Sequence, residues 1–347
     1  MDTPVLRQLL GFGAERYGGP DFPPHTWRPR ELAPLPPVLQ RSVPIACPEQ
    51  DVQSQAAYFR EHGFCIIRGL LRGEALTAMQ DSFRAVEPEA RAAWERSSAD
   101  DFAAKQLAVS GSFRADAFFD WPVNPAAHLE VLRSERLVPL LRELVGEDVQ
   151  NMGMGGRTVP ADHAGESYTR WHRDYGRAAI ALHDYGPPMH ASLSPLGIKM
   201  FIAVNDHTPE MGCTSFVPGT HRIVEEPRSV WEDGVPGSAA FEQQAELPHV
   251  RFSGRAGDCC IMDLRTWHTA MENTTTEDRH TIITSFDRWG VKGQGGRMAE
   301  LEAAGGLPAA VRQEPMLRQM LGIARADGAD DYYSPAWLKA NPRPDMR

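Results

Sequence analysis

In the stretch WHRDYG (171–176) a histidine and an aspartate, His172 and Asp174, stand two residues apart. On an extended strand such residues share a face, so both side chains can reach one point while Arg173 turns away. That is the geometry of a chelate, and equally of an ordinary ion pair on an exposed strand. The nearby His183 and Asp184 are adjacent, and on a strand would face opposite ways. A second segment, GDCCIMDLRTWHTAMENTTTEDRHTIITSF, carries His268 and, eleven residues on, Arg279, with the turn-like run ENTTTED between them. If 264–270 and 277–285 form a hairpin centred between Asn273 and Thr274, His268 and Arg279 are cross-strand partners on one face, with Cβ atoms about 5 Å apart. Two imidazoles and one carboxylate on one side of a metal leave three positions open, the facial arrangement suited to non-haem Fe(II). Two of those positions fit the 1-carboxylate and keto oxygen of 2-oxoglutarate and the third fits O2, while a guanidinium holds the far carboxylate by paired, charge-assisted hydrogen bonds. A closed four-ligand zinc site cannot do this.

The pattern resembles the phytanoyl-CoA dioxygenase family of Fe(II)- and 2-oxoglutarate-dependent oxygenases. The resemblance rests on His172-Arg-Asp174, on His268 with Arg279, and on MGCTSFVPGTHR (211–222), which is similar to that family's Gly-rich, Pro-Gly-Ser/Thr-His segment. It covers about residues 55–290 and implies a double-stranded β-helix, or jelly-roll, with flanking helices. It also implies His172, Asp174 and His268 as iron ligands, Arg279 as the 2-oxoglutarate clamp, and turnover with release of CO2 and succinate. A small hydroxyl residue often found two after the distal histidine is Ala270 here, so Thr169 and Thr214 become candidates for hydrogen bonding to the co-substrate. In related halogenating enzymes a small non-coordinating residue replaces the aspartate. The carboxylate of Asp174 therefore points to oxygenation: hydroxylation of a small organic substrate of lipid, acyl or secondary-metabolite class. Desaturation, epoxidation and cyclisation are alternatives from the same chemistry. The rival from another class is a catalytically silent jelly-roll that binds a ligand and needs neither Arg279 nor an open coordination face.

The elements that must position these residues are legible in outline. Residues 1–50 are Pro-rich and read as an arm across the domain. DVQSQAAYFREHG followed by FCIIRGLL predicts a short helix feeding a buried strand, and GEALTAMQDSFRAVEPEARAAWERS and HLEVLRSERLVPLLRELVG predict amphipathic helices. From about 148 the chain becomes a series of short strand-like runs, including SYTRWHRDYG, IKMFIAVND, TSFVPGTH and HVRFSG, as in an antiparallel sandwich or barrel. Residues 223–247 interrupt it as an acidic surface loop. The tail, with AVRQEPMLRQMLGIARA, returns to helix. The expectation is α+β with a mainly β core: an arm (1–50), an oxygenase domain (51–290) and a C-terminal helical extension (291–347) packed on it. The segment 175–197 exceeds the roughly 12–15 residues of ordinary loops and reads as a lid, with Tyr175, His183, Tyr185 and His190 as candidate substrate contacts.

The remaining polar residues have plainer readings. His221 is taken as a turn and packing residue, His280 as structural, and His163 and His207 as loop histidines. Trp171 and Trp267 are expected in the core facing away from the site, Gly153, Gly155 and Gly156 at a bulge or turn, and Asp263 and Arg265 as electrostatic support. Five cysteines lack any CxxC spacing, which argues against a disulfide framework, and adjacent Cys259 and Cys260 read as small core residues on a strand. A net charge of −10 disfavours nucleic acid as a partner. No apolar run is long enough to span a bilayer and the N-terminus lacks a signal-like segment, so an intracellular, cytoplasmic protein is expected, with a homodimer left open.

Overall fold

Helix α1 (Val52–His62) starts where the Asp51 side chain accepts the Ser54 amide at 2.8 Å, satisfying a donor that the first turn leaves unpaired. It ends at Gly63, whose φ of 83° is left-handed and whose N–H returns to the Phe59 carbonyl. The Gly63 carbonyl in turn accepts from the Asp263 amide at 2.9 Å and from Thr266 Oγ1 at 2.8 Å. A Cβ at this position would lie 2.4 Å from Thr266 Oγ1 and 2.5 Å from His221 Nδ1. One glycine thus lets α1, the 220–222 turn and the segment leading to His268 meet without a side chain between them.

The computed structural model describes residues 49–96, 113–115, 125–161, 171–174, 195, 197–222, 249–271, 273–288 and 305–323. After α1 come β1 (Phe64–Ile67), α2 (Gly73–Arg96), β2 (Phe113–Ala115), α3 (Pro125–Leu132), α4 (Leu137–Val145), β3 (Val149–Val159) and β4 (Gly197–Ala203). Short strands β5 (Ser215–Phe216) and β6 (Val250–Arg251) follow, then β7 (Cys259–Asp263), β8 (His268–Thr269), β9 (Arg279–Arg288), α5 (Ala309–Gln313) and α6 (Pro315–Met320). The strands form a six-stranded sheet, β1-β7-β4-β9-β3-β2, and a three-stranded sheet, β6-β5-β8, antiparallel throughout. The expected mixture of helices with antiparallel sheets is present.

Alternation along the central strands sends side chains to two cores. Ile198, Met200 and Ile202 of β4, Ile261 of β7, and Ile282 and Phe286 of β9 pack with the helices, against residues such as Phe59 and Phe83. Their neighbours Phe201, Ala203, Cys260 and Met262 pack with Phe216, Val250 and Phe252 on the side of the small sheet. Each fully buried Ile or Phe contributes roughly 1.5–3 kcal/mol, so the fully buried β7 anchors both layers. Cys259 and Cys260 divide between the two cores, as small strand residues should.

Three expectations need correction. The 264–270/277–285 hairpin does not form: β8 pairs with β5 in the small sheet, placing His268 opposite Phe216, while β9 lies between β4 and β3, placing Arg279 opposite Val159. The reason is Asn273, fully buried in the polar run. Its Nδ2 donates to the carbonyls of Val159, Pro160 and Glu277, and its Oδ1 accepts from the Thr275 amide and hydroxyl. ENTTTED therefore turns the chain from one sheet to the other; a polar turn signals reversal, not the partner. Second, the HxD segment is no full strand among the described residues: His172 makes one antiparallel bridge, to His268. Third, HLEVLRSERLVPLLRELVG holds two helices, α3 and α4, and the tail divides into α5 and α6, with Pro315 opening α6, where its missing N–H costs no helix bond; α2 by contrast runs on through Pro88.

The Gly153 region is a bulge, as expected: the β3–β9 register shifts between Asn151 and Met154, and Gly153 has φ 105°. The 1–48 arm, the 223–247 insertion and most of the 175–197 segment, with Thr169, Tyr175, His183, Tyr185 and His190, lie outside the described residues.

The Gly63 junction yields a test. Gly63→Ala must place a methyl group against Thr266 and His221, whereas Gly305→Ala, with φ 72° and open space around it, meets only the backbone cost of about 1–2 kcal/mol. Urea unfolding should show Gly63→Ala destabilised by clearly more than Gly305→Ala; equal losses would mean that the close approach carries no strain.

Candidate metal centre

His268 is placed by β8 and by a doubly hydrogen-bonded pairing outside any named strand. The His172 amide donates to the His268 carbonyl and the His268 amide to the His172 carbonyl, both at 3.0 Å. Residues paired in this way project to the same face, and the two imidazole centroids lie 4.2 Å apart. The Asp174 amide then donates to the Leu264 carbonyl at 3.0 Å, so the HxD segment is laid along the outer edge of β8. The ligating atoms of His172, Asp174 and His268 all fall within 4.8 Å of one another.

The protonation states suit a cation. His268 Nδ1 lies 3.0 Å from the Thr266 carbonyl, which only an N–H can satisfy, leaving Nε2 with its lone pair toward Asp174 Oδ2 at 3.5 Å. Burial, followed by the charge of His172, pushes His268 down to about 3, so it is neutral at ordinary pH. For Asp174 burial works toward the protonated form, but His268, Lys199 and His172 outweigh it and hold the carboxyl well below the usual range. With His268 neutral, the working cation is Lys199, whose Nζ sits 2.8 Å from Asp174 Oδ2. An ionised carboxylate beside the neutral His268 imidazole and a second histidine ring is a donor set for a divalent metal.

The surrounding residues behave as alternation predicts. Arg173 is buried on the far side: its Nη2 donates to the Thr220 carbonyl at 3.3 Å and its guanidinium lies 5.8 Å from the Trp267 ring. Trp171 is fully buried and Trp267 nearly so. The Trp267 amide donates to Thr220 Oγ1 at 2.9 Å, and Thr220 Oγ1 donates to the Val217 carbonyl at 2.6 Å, binding the PGT turn to the strand that carries His268. His221 is a packing residue, with Nε2 at 3.1 Å from the Arg60 carbonyl. His280 faces the helices, 3.0 Å from Thr158 Oγ1 and with its ring 4.8 Å from Phe83. Asp263 and Arg265 pair with each other at 2.5 Å.

Arg279 does not sit across from His268, yet it is on the β9 face turned toward the same inter-sheet space, the cleft. Odd-numbered residues of β9 face the small sheet, so Arg279, Thr281 and Ile283 line one side of the space between the sheets. The His268 ring lies 6.5 Å from that of Phe201, which pairs with Ile283. Arg279 is four residues farther along β9, about 13 Å at strand rise. There it is buried and donates through Nη1 to the Gly212 carbonyl. Thr214 is buried and shares the parity of Phe216, whose side chain faces the cleft.

Two residues escaped the sequence reading. Lys199 is a cation in the otherwise apolar strand GIKMFIA, and that incongruity was the available signal. His207, read as a loop histidine, is buried. Its Nε2 is 2.9 Å from the His280 carbonyl, and burial, with Arg279 next, pushes it down to about 3. Nothing in the sequence marked it out from the other histidines.

The phytanoyl-CoA dioxygenase (PhyH) family model matches residues 59–281. The chain belongs to this family. The dioxygenase is 27% identical to an ectoine dioxygenase of Nocardia farcinica over 246 residues, covering 67% of this chain and 76% of that protein. It is 29% identical to the dioxygenase lolE1 of Epichloe uncinata over 161 residues, 46% and 55% of the two chains. Among solved structures, it is similar to the non-heme alpha-ketoglutarate-dependent epimerase SnoN from nogalamycin biosynthesis (20% identity, TM-score 0.45, covering 69% and 83%). It is also similar to AviO1 from Streptomyces viridochromogenes (19%, TM-score 0.47, covering 70% and 97%). Membership makes the protein an Fe(II)- and 2-oxoglutarate-dependent dioxygenase, with O2 as oxidant, and replaces the silent-binder reading. No helix among the described residues is long and apolar enough to cross a membrane.

The buried histidines give a pH signature. His207, His221 and His268 have folded-state values near 3, 4 and 3 against 6.5 when unfolded, so the native state excludes their protons. Their contribution to stability is complete above about pH 6.5 and is lost, at about 1.4 kcal/mol per pH unit for each group, as pH falls to about 4 for His221 and about 3 for His207 and His268. Urea midpoints of metal-free protein should fall over this window, and His221→Gln should make the fall shallower. An unchanged slope would mean that His221 takes up its proton without cost.

Proposed function

We propose that His172, Asp174 and His268 hold the Fe(II) and that Arg279 binds the distal carboxylate of 2-oxoglutarate at the other end of the inter-sheet cleft, in a hydroxylase of a small organic molecule. The observation that carries this reading is the reciprocal His172–His268 pairing, which sets two imidazoles beside an ionised Asp174 at the level of Phe201, with a buried guanidinium farther along the same face. The two facing antiparallel sheets support a double-stranded β-helix as the frame. We assign 51–290 to the oxygenase domain, with 1–50 as an arm and 291–347 as a helical extension.

When bound, Fe(II) with 2-oxoglutarate activates O2, releasing CO2 and succinate. The chain supplies position and charge. Thr266 holds the His268 ring by Nδ1, leaving Nε2 as the atom that would bind the metal, the edge pairing fixes His172, and Asp174 would supply the carboxylate ligand, which supports oxygenation over halide transfer. Apolar Phe201 and Ile283 lie between triad and clamp and limit water there. Ala270 offers no hydroxyl to the co-substrate. Thr281, on the cleft face two residues from Arg279, and Thr214 supply hydroxyls on either wall, and Thr169 keeps the role assigned to it from the sequence.

Anaerobic addition of Fe(II) and then 2-oxoglutarate should produce a weak visible charge-transfer band, absent in His172→Ala, Asp174→Ala and His268→Ala. Arg279→Ala should still bind Fe(II) but need far more 2-oxoglutarate to saturate the band, on the order of 2–5 kcal/mol of lost binding. A band in Asp174→Ala, or unchanged 2-oxoglutarate dependence in Arg279→Ala, would overturn the corresponding assignment.

A further inference from the structure

Lys199 is the residue that the iron site does not account for. It projects from β4 into the cleft, on the face of Phe201, with Nζ 5.8 Å from that ring and 2.8 Å from Asp174 Oδ2. Its strand partner on β9 is Ser285, six residues from Arg279, so the backbone positions of the two cations are about 20 Å apart at strand rise. The ammonium is placed on the side of the triad away from the co-substrate clamp. The Lys199 and Asp174 side chains are 22% and 23% exposed, so this end opens toward solvent, where a substrate can enter.

The pairing also cannot survive unchanged. Oδ2, which Lys199 contacts, is the oxygen 3.5 Å from His268 Nε2, the atom left for the metal. An ammonium and a dication on one carboxylate oxygen repel, so a metal that takes Oδ2 weakens the hold of Asp174 on Lys199. Its charge then needs a new counter-charge in a part-buried, aromatic-flanked position, because an unpaired charge out of water is costly.

Resting on the triad assigned above, we propose that Lys199 anchors an anionic group of the prime substrate, a carboxylate or comparable organic anion, once the metal has claimed Asp174. The substrate is thereby a small organic anion whose charged end lies beside the metal while its apolar part extends from it, and its site is completed only after metal binding.

The test uses the full chain loaded with Mn(II) and saturated with N-oxalylglycine, which fills the co-substrate site without turnover. Hexanoate, hexanamide and hexylamine are the probes, read by paramagnetic broadening of their proton signals. Hexanoate should be broadened and the amide and amine not. Lys199→Met should lose the preference and Lys199→Arg keep it. Equal broadening of hexanoate and hexanamide by the parent enzyme overturns the proposal without recourse to any variant, and so does hexanoate broadening that persists in Lys199→Met, which would mean direct ligation of Mn(II). Free Mn(II) measured by electron spin resonance gives the second readout: Lys199→Met should bind Mn(II) several-fold more tightly than the parent, since the competing charge is gone. Unchanged or weaker binding would make Lys199 a support for Asp174 and overturn the proposal. Failure of the parent to bind Mn(II) at all would instead remove the triad reading, and this inference with it.

Discussion

Two backbone hydrogen bonds between His172 and His268 hold together the candidate metal centre of this protein. Neither residue lies in a long ladder: β8 is two residues long, and His172 contributes a single bridge. Their reciprocal N–H to carbonyl pairing nevertheless fixes the relative height and facing of two imidazoles, and the Asp174 amide on Leu264 sets the third donor by the same means. Main-chain bonds are well suited to this, since they position side chains without occupying the ligating atoms.

So short a pairing needs support from behind. It comes from the knot in which Trp267, Thr220, Val217 and Arg173 meet, and from Gly63, which brings α1 against Thr266 and His221. Thr266 belongs to both systems: its hydroxyl donates to the Gly63 carbonyl and its own carbonyl orients the His268 ring. The end of a helix and the tautomer of the His268 imidazole are therefore linked through one residue.

The donor set could be read from the chain because His-x-Asp needs only local geometry, and because two imidazoles with a carboxylate form a chemically narrow combination. Helix α1, the apolar β1 and β7 and the bulge near Gly153 were legible for similar reasons, as their signals lie within a few residues. The pairing of β8 and β9 was not. ENTTTED is polar and turn-like whether it closes a hairpin or crosses between sheets, and the deciding contacts, from Asn273 to Val159 and Pro160, span more than a hundred residues. The pairing offered for Arg279 was wrong: it is buried on β9, in the other sheet from His268. Lys199 went unread because its meaning depends on Asp174, twenty-five residues away in sequence and in contact only in the fold.

The Asn273 corner has a consequence for molecular size. One buried amide gathers three carbonyls and so fixes where β8 leaves the small sheet and β9 enters the large one. The distance between the imidazole of His268 and the guanidinium of Arg279 is thus imposed by a rigid bend rather than by the walls of the cleft. If the metal at His268 and the guanidinium of Arg279 hold the two ends of 2-oxoglutarate as proposed, the bend works as a gauge, and selection of chain length is set by the backbone.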